Sequence, residues 1–506
     1  MNGIAPSLDA YRAGYHILET RERNDRRRPH IEITDEGDIL STIRRLESTG
    51  QLRDLQRNYA QAKSLINQMV RHVVGTGPKV LFHTKNEKWN SDAAHWFNSV
   101  WAANCDGRDD LHFAYLCELA VGTVLREHDC VCFFDGGGLV DEGAPATDTA
   151  PERPSSAGRL FFWEGDQISN LEPGAFKNHV AEIAAAVNYP ADKISQDRGV
   201  LKTEYGRVLG WIASHRRGLG ALNWEDVTVL PIGPAWMLKD PWRLNDARGT
   251  SALLASAAML IDDYELLKIE LLSAKRAAGM AAKVKSADPS SRAMGRSDSA
   301  TKPKVTDAAA TDRYEILEKV FGGAVEYLNQ GDDIEILENR RPAPQLADFL
   351  NFSAVQAGAG FGLPRLYSLL QADASYSASR AEMNVGDVTF KRYQKWLERQ
   401  FLDRVLDRAL AWGVSVGAVP ERTAMWRGEF SWEHHKQEPI DENKHESANR
   451  TGLEIGSRTM KDIHGAEWRN VIRQRAAERV AERVALQEAA AAAGITIEPE
   501  ENEDAL

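Results

Sequence analysis

The stretch GTSALLASAAMLIDDYELLKIELLSAKRAAGM, residues 249–280, decides the reading of the fold. Leu253, Leu254, Ala257, Leu260, Ile261, Tyr264, Leu267, Leu271 and Leu272 recur near the helical period, so the whole stretch is predicted as one long helix. Thr250 or Ser251 is placed to cap its start. The apolar stripe is broad, wider than a single neighbouring helix needs. From Lys268 onward the helix turns basic, with Lys268, Lys275 and Arg276, and Lys283 and Lys285 follow.

Working outward, residues 1–40 form a charged N-terminal arm with Arg21, Arg23, Arg26, Arg27 and Arg28. Ile43, Leu46, Leu52, Leu55, Tyr59, Leu65, Ile66, Met69, Val70 and Val73 predict one helix, stopped at Gly75-Thr76-Gly77-Pro78. Leu111–Arg126 reads as a helix, and Cys130–Phe134, Arg159–Trp163 and Glu225–Pro231 as strands, with a Gly/Pro/Ala/Ser-rich loop over Gly136–Arg159. Ser286–Ala310 is low-complexity, and pattern returns at Tyr314–Leu328 and Ile334–Leu337. Pro344–Gln371 is helical, interrupted by the small residues Ala357 to Pro364, and Ala372–Ser379 reads as a small polar loop. Val385–Trp412 is an amphipathic helix with Phe390, Tyr393, Leu397, Phe401, Val405 and Ala409 on one face. His445–Ala493 is mostly helical and carries Arg473, Arg475, Arg479 and Arg483, before an acidic tail. The fold class expected is α+β, mainly helical.

The 506 residues predict two to four domains, and 43% apolar with 27% charged residues suits a globular chain. A net charge of −12 is unlike a conventional nucleic-acid binder, which is basic overall. Cys105, Cys117, Cys130 and Cys132 are too few for a disulfide scaffold, and Cys130 and Cys132 lack metal or redox spacing, so all four read as reduced thiols. No signal peptide is read at the start, the apolar run Ala252–Ile261 is too short to span a bilayer, and no membrane partner is expected. These features predict a protein made in the cytoplasm.

The chemistry-bearing motifs are few. Gly75-Thr76-Gly77-Pro78-Lys79 follows a helix and lacks the phosphate-loop pattern, and Gly136-Gly137-Gly138 lacks the dinucleotide register. His434 and His435 are adjacent, so on a strand they point to opposite faces, and no further His or Cys stands at ligand spacing. Asp262-Asp263 and Asp332-Asp333 are vicinal acids of the kind nucleases use, but they need further carboxylates converging on Mg²⁺. No catalytic residue, metal or cofactor is therefore expected. Between residues 268 and 304 nine cations face three acids, a net of +6 inside an acidic chain. That segment reads either as a solvated linker or as a contact with DNA phosphate or an acidic partner.

Three segments together resemble a known family. They are Asn58 to Lys63 with Val73-Val74-Gly75-Thr76-Gly77; Arg248-Gly249-Thr250-Ser251 leading to Asp262-Asp263-Tyr264-Glu265; and Arg341-Pro342 through Ala357-Gly358-Ala359-Gly360-Phe361-Gly362-Leu363-Pro364 to Ser375-Tyr376-Ser377-Ala378-Ser379-Arg380-Ala381-Glu382. Their order and content are similar to the lambda-type portal proteins of tailed bacteriophages, over roughly residues 55–480. The insert Ser286–Asp312 is longer than that family's pattern.

The resemblance implies a portal fold of wing, stem, clip, tunnel loop and crown that assembles as a ring, normally of twelve subunits, at one capsid vertex. Carried over, residues 41–248 and 385–443 form the wing, 249–280 the first stem helix, 281–343 the clip, 344–371 the second stem helix, 372–384 the tunnel loop, 444–495 the crown and 496–506 an acidic tail. Ser375, Tyr376, Ser377, Ser379 and Arg380 are then candidates to line the DNA channel. Lys268, Lys275, Arg276, Lys283 and Lys285 are candidates for basic contacts in stem and clip. The implied partners are further copies of the chain, double-stranded DNA without sequence preference, the terminase large subunit, the major capsid and scaffold proteins, and a head–tail adaptor. The small polar segment at 372–379 and the lack of any base-reading motif suit DNA that slides. Trp396, Trp412, Trp426 and Trp432 read equally as subunit-interface anchors or as core. Two competing readings are a Mg²⁺-dependent, nuclease-like DNA-processing enzyme built on Asp262 and Asp263, and a scaffold that never meets nucleic acid.

Overall fold

The structure is a computed structural model, and it describes residues 39–136, 157–215, 224–279, 283–284, 326–327, 345–372, 375–421, 428–435, 442–460, 463 and 468–493. In chain order these form α1 (Thr42–Asn58), α2 (Ala60–Val73), β1 (Lys79–Phe82), α3 (Glu87–His95) running into a π-helical turn (Trp96–Trp101), α4 (Phe113–Glu127), β2 (Asp129–Asp135) and β3 (Arg159–Glu164). Next come α5 (Pro173–Val187), β4 (Ser195–Asp197), β5 (Val200–Lys202), β6 (Val208–Ser214), β7 (Val227–Pro231), β8 (Ala235–Lys239) and the long α6 (Leu254–Gly279). After the short strands β9 (Lys283–Val284) and β10 (Glu326–Tyr327) follow α7 (Leu346–Ala359), α8 (Arg365–Leu369), α9 (Tyr376–Leu397), a second π-helical turn (Glu398–Leu402), α10 (Asp403–Ser415), β11 (Phe430–Glu433), α11 (Glu442–Ile455) and α12 (Trp468–Ala493). The expected α+β class, mainly helical, matches. Most of the N-terminal arm, the acidic tail, most of the 281–343 segment and residues 137–156 between β2 and β3 lie outside the described residues.

Two sequence expectations need correction. The single helix expected over 43–73 is two helices, because Tyr59 is extended (φ −118°, ψ 113°). Its ring packs on Tyr264 with centroids 5.4 Å apart, a tertiary contact that local periodicity does not reveal. The polar loop expected over 372–379 gives way to helix in its second half, since α9 begins at Tyr376. Ala378, Ala381, Glu382 and Met383 favour a helix once it is nucleated, and Ser375 already accepts the Ser379 N–H at 3.0 Å.

The chain divides into two compact units: Met1–Met69, Ala120–Phe133 and Phe162–Thr389; and Val70–Leu119, Phe134–Phe161 and Phe390–Leu506. In the first, β4-β5-β6-β7 is an antiparallel sheet. Helix α5, opened by Pro173 at its first turn and closed by Asn188 in the left-handed conformation, covers it. Leu171, Ile183, Ile194, Leu201, Leu209 and Ile212 form the core between them. Strand β8 pairs antiparallel with β2, with Asp129 opposite Lys239 and Phe133 opposite Ala235.

The second unit is held by aromatic rings. Phe97, in the first π-helical turn, stacks on Trp101 and meets Phe113 and Trp432 edge-on, while Phe113 stacks on Phe401 at 5.8 Å. Three of the unit's indole N–H groups have partners: Trp101 donates to the Gly158 carbonyl at 2.8 Å, Trp89 to Pro420 at 3.0 Å and Trp432 to the Asp403 carboxylate at 2.9 Å. Replacing Trp432 with Phe keeps most of the ring and removes one charge-assisted hydrogen bond, so it is expected to cost about 1.5–3 kcal/mol in urea unfolding; a loss below about 0.5 kcal/mol would show that the bond contributes nothing net. Strand β11 pairs antiparallel with β1, Trp432 opposite Val80. Of the four tryptophans named as anchors or core, Trp412 and Trp432 pack inside this unit, Trp396 meets Tyr393 edge-on, and Trp426 is outside the described residues.

Candidate functional site

The long helix α6 begins at a buried polar junction. Arg248, 2% exposed, grips Asp129 with two parallel bonds, Nε to Oδ2 at 2.7 Å and Nη2 to Oδ1 at 2.6 Å. Its remaining N–H groups donate to the carbonyls of Ile168 (3.0 Å), Arg198 (2.8 Å) and Gly165 (2.8 Å). One guanidinium thus ties β2, the β3–α5 connection and the β4–β5 turn to the residue that leads into α6. Asp129 also accepts the Gly249 N–H at 3.0 Å, and Arg45 of α1 donates to the Gly249 carbonyl at 2.7 Å. Burial alone would raise the Asp129 pKa. The charge and hydrogen bonds of Arg248, helped by Arg45 and the Gly249 N–H, outweigh it and hold the carboxylate at about 2.

His128 sits beside this pair in the left-handed region, φ 82°. Its Nδ1 accepts the Ser251 N–H at 3.0 Å, so the ring hydrogen is on Nε2, which donates to Ser48 Oγ at 2.9 Å. Burial, with the Arg45 charge nearby, pushes its pKa well below the ordinary value and keeps it neutral. Ser251 Oγ donates to the Leu125 carbonyl at 2.7 Å and accepts the Leu253 N–H at 3.1 Å; it fixes the turn just before α6 and does not cap the helix as expected, because the helix starts at Leu254. A Cβ on Gly249 would stand 2.3 Å from the His128 carbonyl oxygen, so only glycine fits. The Arg248-Gly249-Thr250-Ser251 motif is therefore a joint: arginine for the clamp, glycine for close approach, serine for the turn before the helix.

Along α6, Leu253, Leu254, Ala257 and Leu260 are buried, but beyond Ile261 the apolar stripe opens to solvent, with Ile269, Leu271 and Leu272 at least half exposed. The two vicinal acids separate: Asp262 is exposed, while Asp263 is buried and accepts a hydrogen bond from Ser353 on α7. They do not converge on one site. Burial raises the Asp263 pKa against the opposing Ser353 bond. Lys268 is exposed and lies 3.9 Å over the Tyr264 ring. Lys275 is exposed on the last turns of α6; Arg276 lies on the same helix with its side chain outside the described part, Lys283 is in β9, and Lys285 is outside the described residues.

The small-residue run after α7 is a close-packed corner. A Cβ on Gly358 would collide with Ser368 Oγ at 1.8 Å, and one on Gly360 would stand 2.7 Å from Ser256 Oγ of α6. Ser256 Oγ donates to the Ala357 carbonyl at 3.1 Å, and Thr389 of α9 donates to the Gly362 carbonyl at 2.8 Å. Glu382 accepts the Leu366 N–H at 2.6 Å, pinning the first turns of α9 to α8. On those turns Ser375, Tyr376, Ser377 and Arg380 are exposed and Ser379 is buried.

Among the described residues one group of three acids, Glu127, Glu164 and Asp166, brings carboxylate oxygens within 4.8 Å of one another. Arg53 lies among them, 2.9 Å from Glu164 and 2.8 Å from Asp166, and also paired with Glu127. The cation this cluster holds is a guanidinium. His434 pairs through Nε2 with Glu398 at 2.7 Å, whereas His435 faces His72; the two histidines diverge, although they follow β11 rather than lie on a strand as expected. All four cysteines are buried and unpaired with one another. Among the described residues no helix is long and apolar enough to cross a membrane. The sequence reading missed Asp129, His128, Arg45 and Ser353; no local pattern marks partners that lie 90 to 204 positions away in the chain.

Among solved structures, the chain is similar to one in the virion of a native gene transfer agent particle, at 11% identity over 81% of this chain and 89% of that one, with a TM-score of 0.36. It is similar to one in the neck of the empty gene transfer agent particle computed with C6 symmetry, at 12% identity over the same shares and a TM-score of 0.39. It is likewise similar to one in the neck of the native particle computed with C12 symmetry, at 12% identity and a TM-score of 0.37. No curated protein matches. The family model described as phage portal protein, lambda family, matches residues 35–394, which take in the Arg248 joint, the long helix and the glycine corner. The chain belongs to the lambda family of phage portal proteins.

Proposed function

We propose that this portal protein acts as a ring, with twelve copies closing around a passage for double-stranded DNA at one capsid vertex. The observation that carries the reading is the unfinished stripe on α6. Ile269, Leu271 and Leu272, together with Phe349 and Phe352 of the helix α7 that packs on α6, leave large apolar side chains at least half exposed in the single chain. A patch of that kind calls for a protein partner, and a neighbour on each side supplies it in a ring. In this reading α6 is the first stem helix and α7 the return. Residues 281–343 are the clip, the corner from 370 into α9 faces the channel, and residues 444–495 are the crown.

A charge of −12 per copy gives the ring a strongly negative wall, which keeps duplex phosphate centred and mobile. Arg380 and Lys275 then supply rings of brief, salt-sensitive phosphate contacts without reading sequence. The terminase large subunit, the major capsid and scaffold proteins and a head–tail adaptor are the partners of such a ring in the virion, which would assemble in the host cytoplasm.

Negative-stain microscopy and mass photometry of the purified full chain test this. The expected result is an annulus with an axial hole. The double change Leu271→Asp and Phe352→Asp should reduce it to single subunits with unchanged helical content. A wild-type chain that stays monomeric at micromolar concentration would overturn the reading.

A further inference from the structure

Exposed apolar side chains in the first unit are not confined to α6 and α7. We propose that Trp242 and Leu244 of one subunit pack against Tyr205 and Ile232 of the next copy round the ring. This rests on the ring reading above and names a contact within it.

Trp242 is 74% exposed and Leu244 is fully exposed, both on the connection between β8 and α6. That connection is fastened, not loose. Asp246 Oδ2 accepts the N–H groups of Trp242 (3.1 Å) and Arg243 (2.7 Å), and the Asp246 N–H donates to the Arg243 carbonyl at 3.2 Å. Lys239 Nζ donates to the carbonyls of Asp246 and Ala247 at 2.5 and 3.0 Å, and the Thr250 N–H donates to the Asp240 carbonyl at 3.1 Å. A tryptophan held in water by a pre-formed turn loses little conformational freedom on docking, and tryptophan is among the commonest interface anchors.

The second pair has a similar character. Tyr205 is 95% exposed at the tip of the β5–β6 turn, which is closed by the Thr203 N–H to Arg207 carbonyl bond at 2.9 Å. Ile232, half exposed, leaves β7 at that same end of the sheet, its N–H bonded to the Leu209 carbonyl at 2.9 Å.

Strand β8 separates the two pairs. Ile232 stands just before it and Trp242 just after it, and its five residues span about 17 Å at a rise of ~3.3 Å each. A two-fold dimer needs one self-complementary patch. A ring needs two different patches facing opposite ways on every subunit. Apolar pairs at opposite ends of one strand are two different patches set a strand's length apart, which is why a further copy of this chain is the occupant favoured here.

The test uses the full-length chain carrying Leu244→Cys and Ile232→Cys together, with Trp242 retained. Mild oxidation of assembled rings should give a ladder of covalently linked subunits on a denaturing gel, and each single variant should give none; the four native cysteines are buried. Separately, Trp242→Ala should raise the concentration needed for half-assembly about tenfold or more and leave the melting of the unassembled chain unchanged. Intact rings without a ladder, or wild-type assembly by Trp242→Ala, overturn this contact and leave the ring reading standing. Normal rings that fail to enter particles would give the loop to another virion protein and also overturn it. A wild-type chain that forms no ring takes both down.

Discussion

Replacing Arg248 with alanine is expected to destabilise the first unit by about 3–5 kcal/mol, because it leaves a buried carboxylate without its principal counter-charge. Asp129 is fully buried, and its other cation, Arg45, stands 3.7 Å away. Three backbone carbonyls, those of Gly165, Ile168 and Arg198, lose donors in the same step. Urea unfolding followed by circular dichroism measures the effect, and a loss under about 1 kcal/mol would show that the clamp is not a principal support. Acid gives an independent check. The folded pKa of Asp129, about 2, lies below its unfolded value, so the unfolded chain binds the proton more readily. The stabilisation is therefore complete above about pH 4 and is lost as pH falls from 4 toward 2. In Arg248→Ala the carboxyl is no longer held low, and the extra loss in that window should shrink or vanish.

Replacing Phe401 with alanine should cost the second unit about 3–5 kcal/mol, the range for emptying a buried aromatic site. Phe401 has no exposed surface and stacks on Phe113, which itself touches Phe97 and Trp101. Leucine at the same position keeps most of the volume and should cost less than about half as much. Equal losses for alanine and leucine would mean that ring stacking, not volume, carries the stabilisation. Unfolding followed by tryptophan fluorescence reads both variants.

Much of the fold was legible in the sequence where one side of an element is apolar and the other is not. The helix at 254–279, the strands at 129–135 and 159–164 and the helix at 113–127 all fall within a few residues of their expected places. The errors share a cause. Helix α1 buries Arg45, Ser48 and Thr49 alongside Leu52 and Leu55, so its inward face has no clear apolar period and its end at Tyr59 is set by a contact with Tyr264. The segment at 376–384 is small and polar, which suits a loop or an exposed helix equally, and the tie from Glu382 to Leu366 N–H decides for the helix. At the site, the motifs were visible but their chemistry was not. Arg248 and Gly249 stood out as a pair, yet what they do depends on Asp129 and His128, which meet them only after folding.

The π-helical turn at Glu398–Leu402 carries a consequence for sequence drift. A wider turn lets a helix take up an additional residue without turning everything downstream away from its neighbours. Within α9, losing one residue would swing the following side chains by about 100° and take Val405 and Ala409 out of the interior. Losing one residue inside Glu398–Leu402 would instead restore regular pitch and leave those later positions facing inward. That single turn is thus where length variation among relatives of this chain is best tolerated along the whole 376–415 rod.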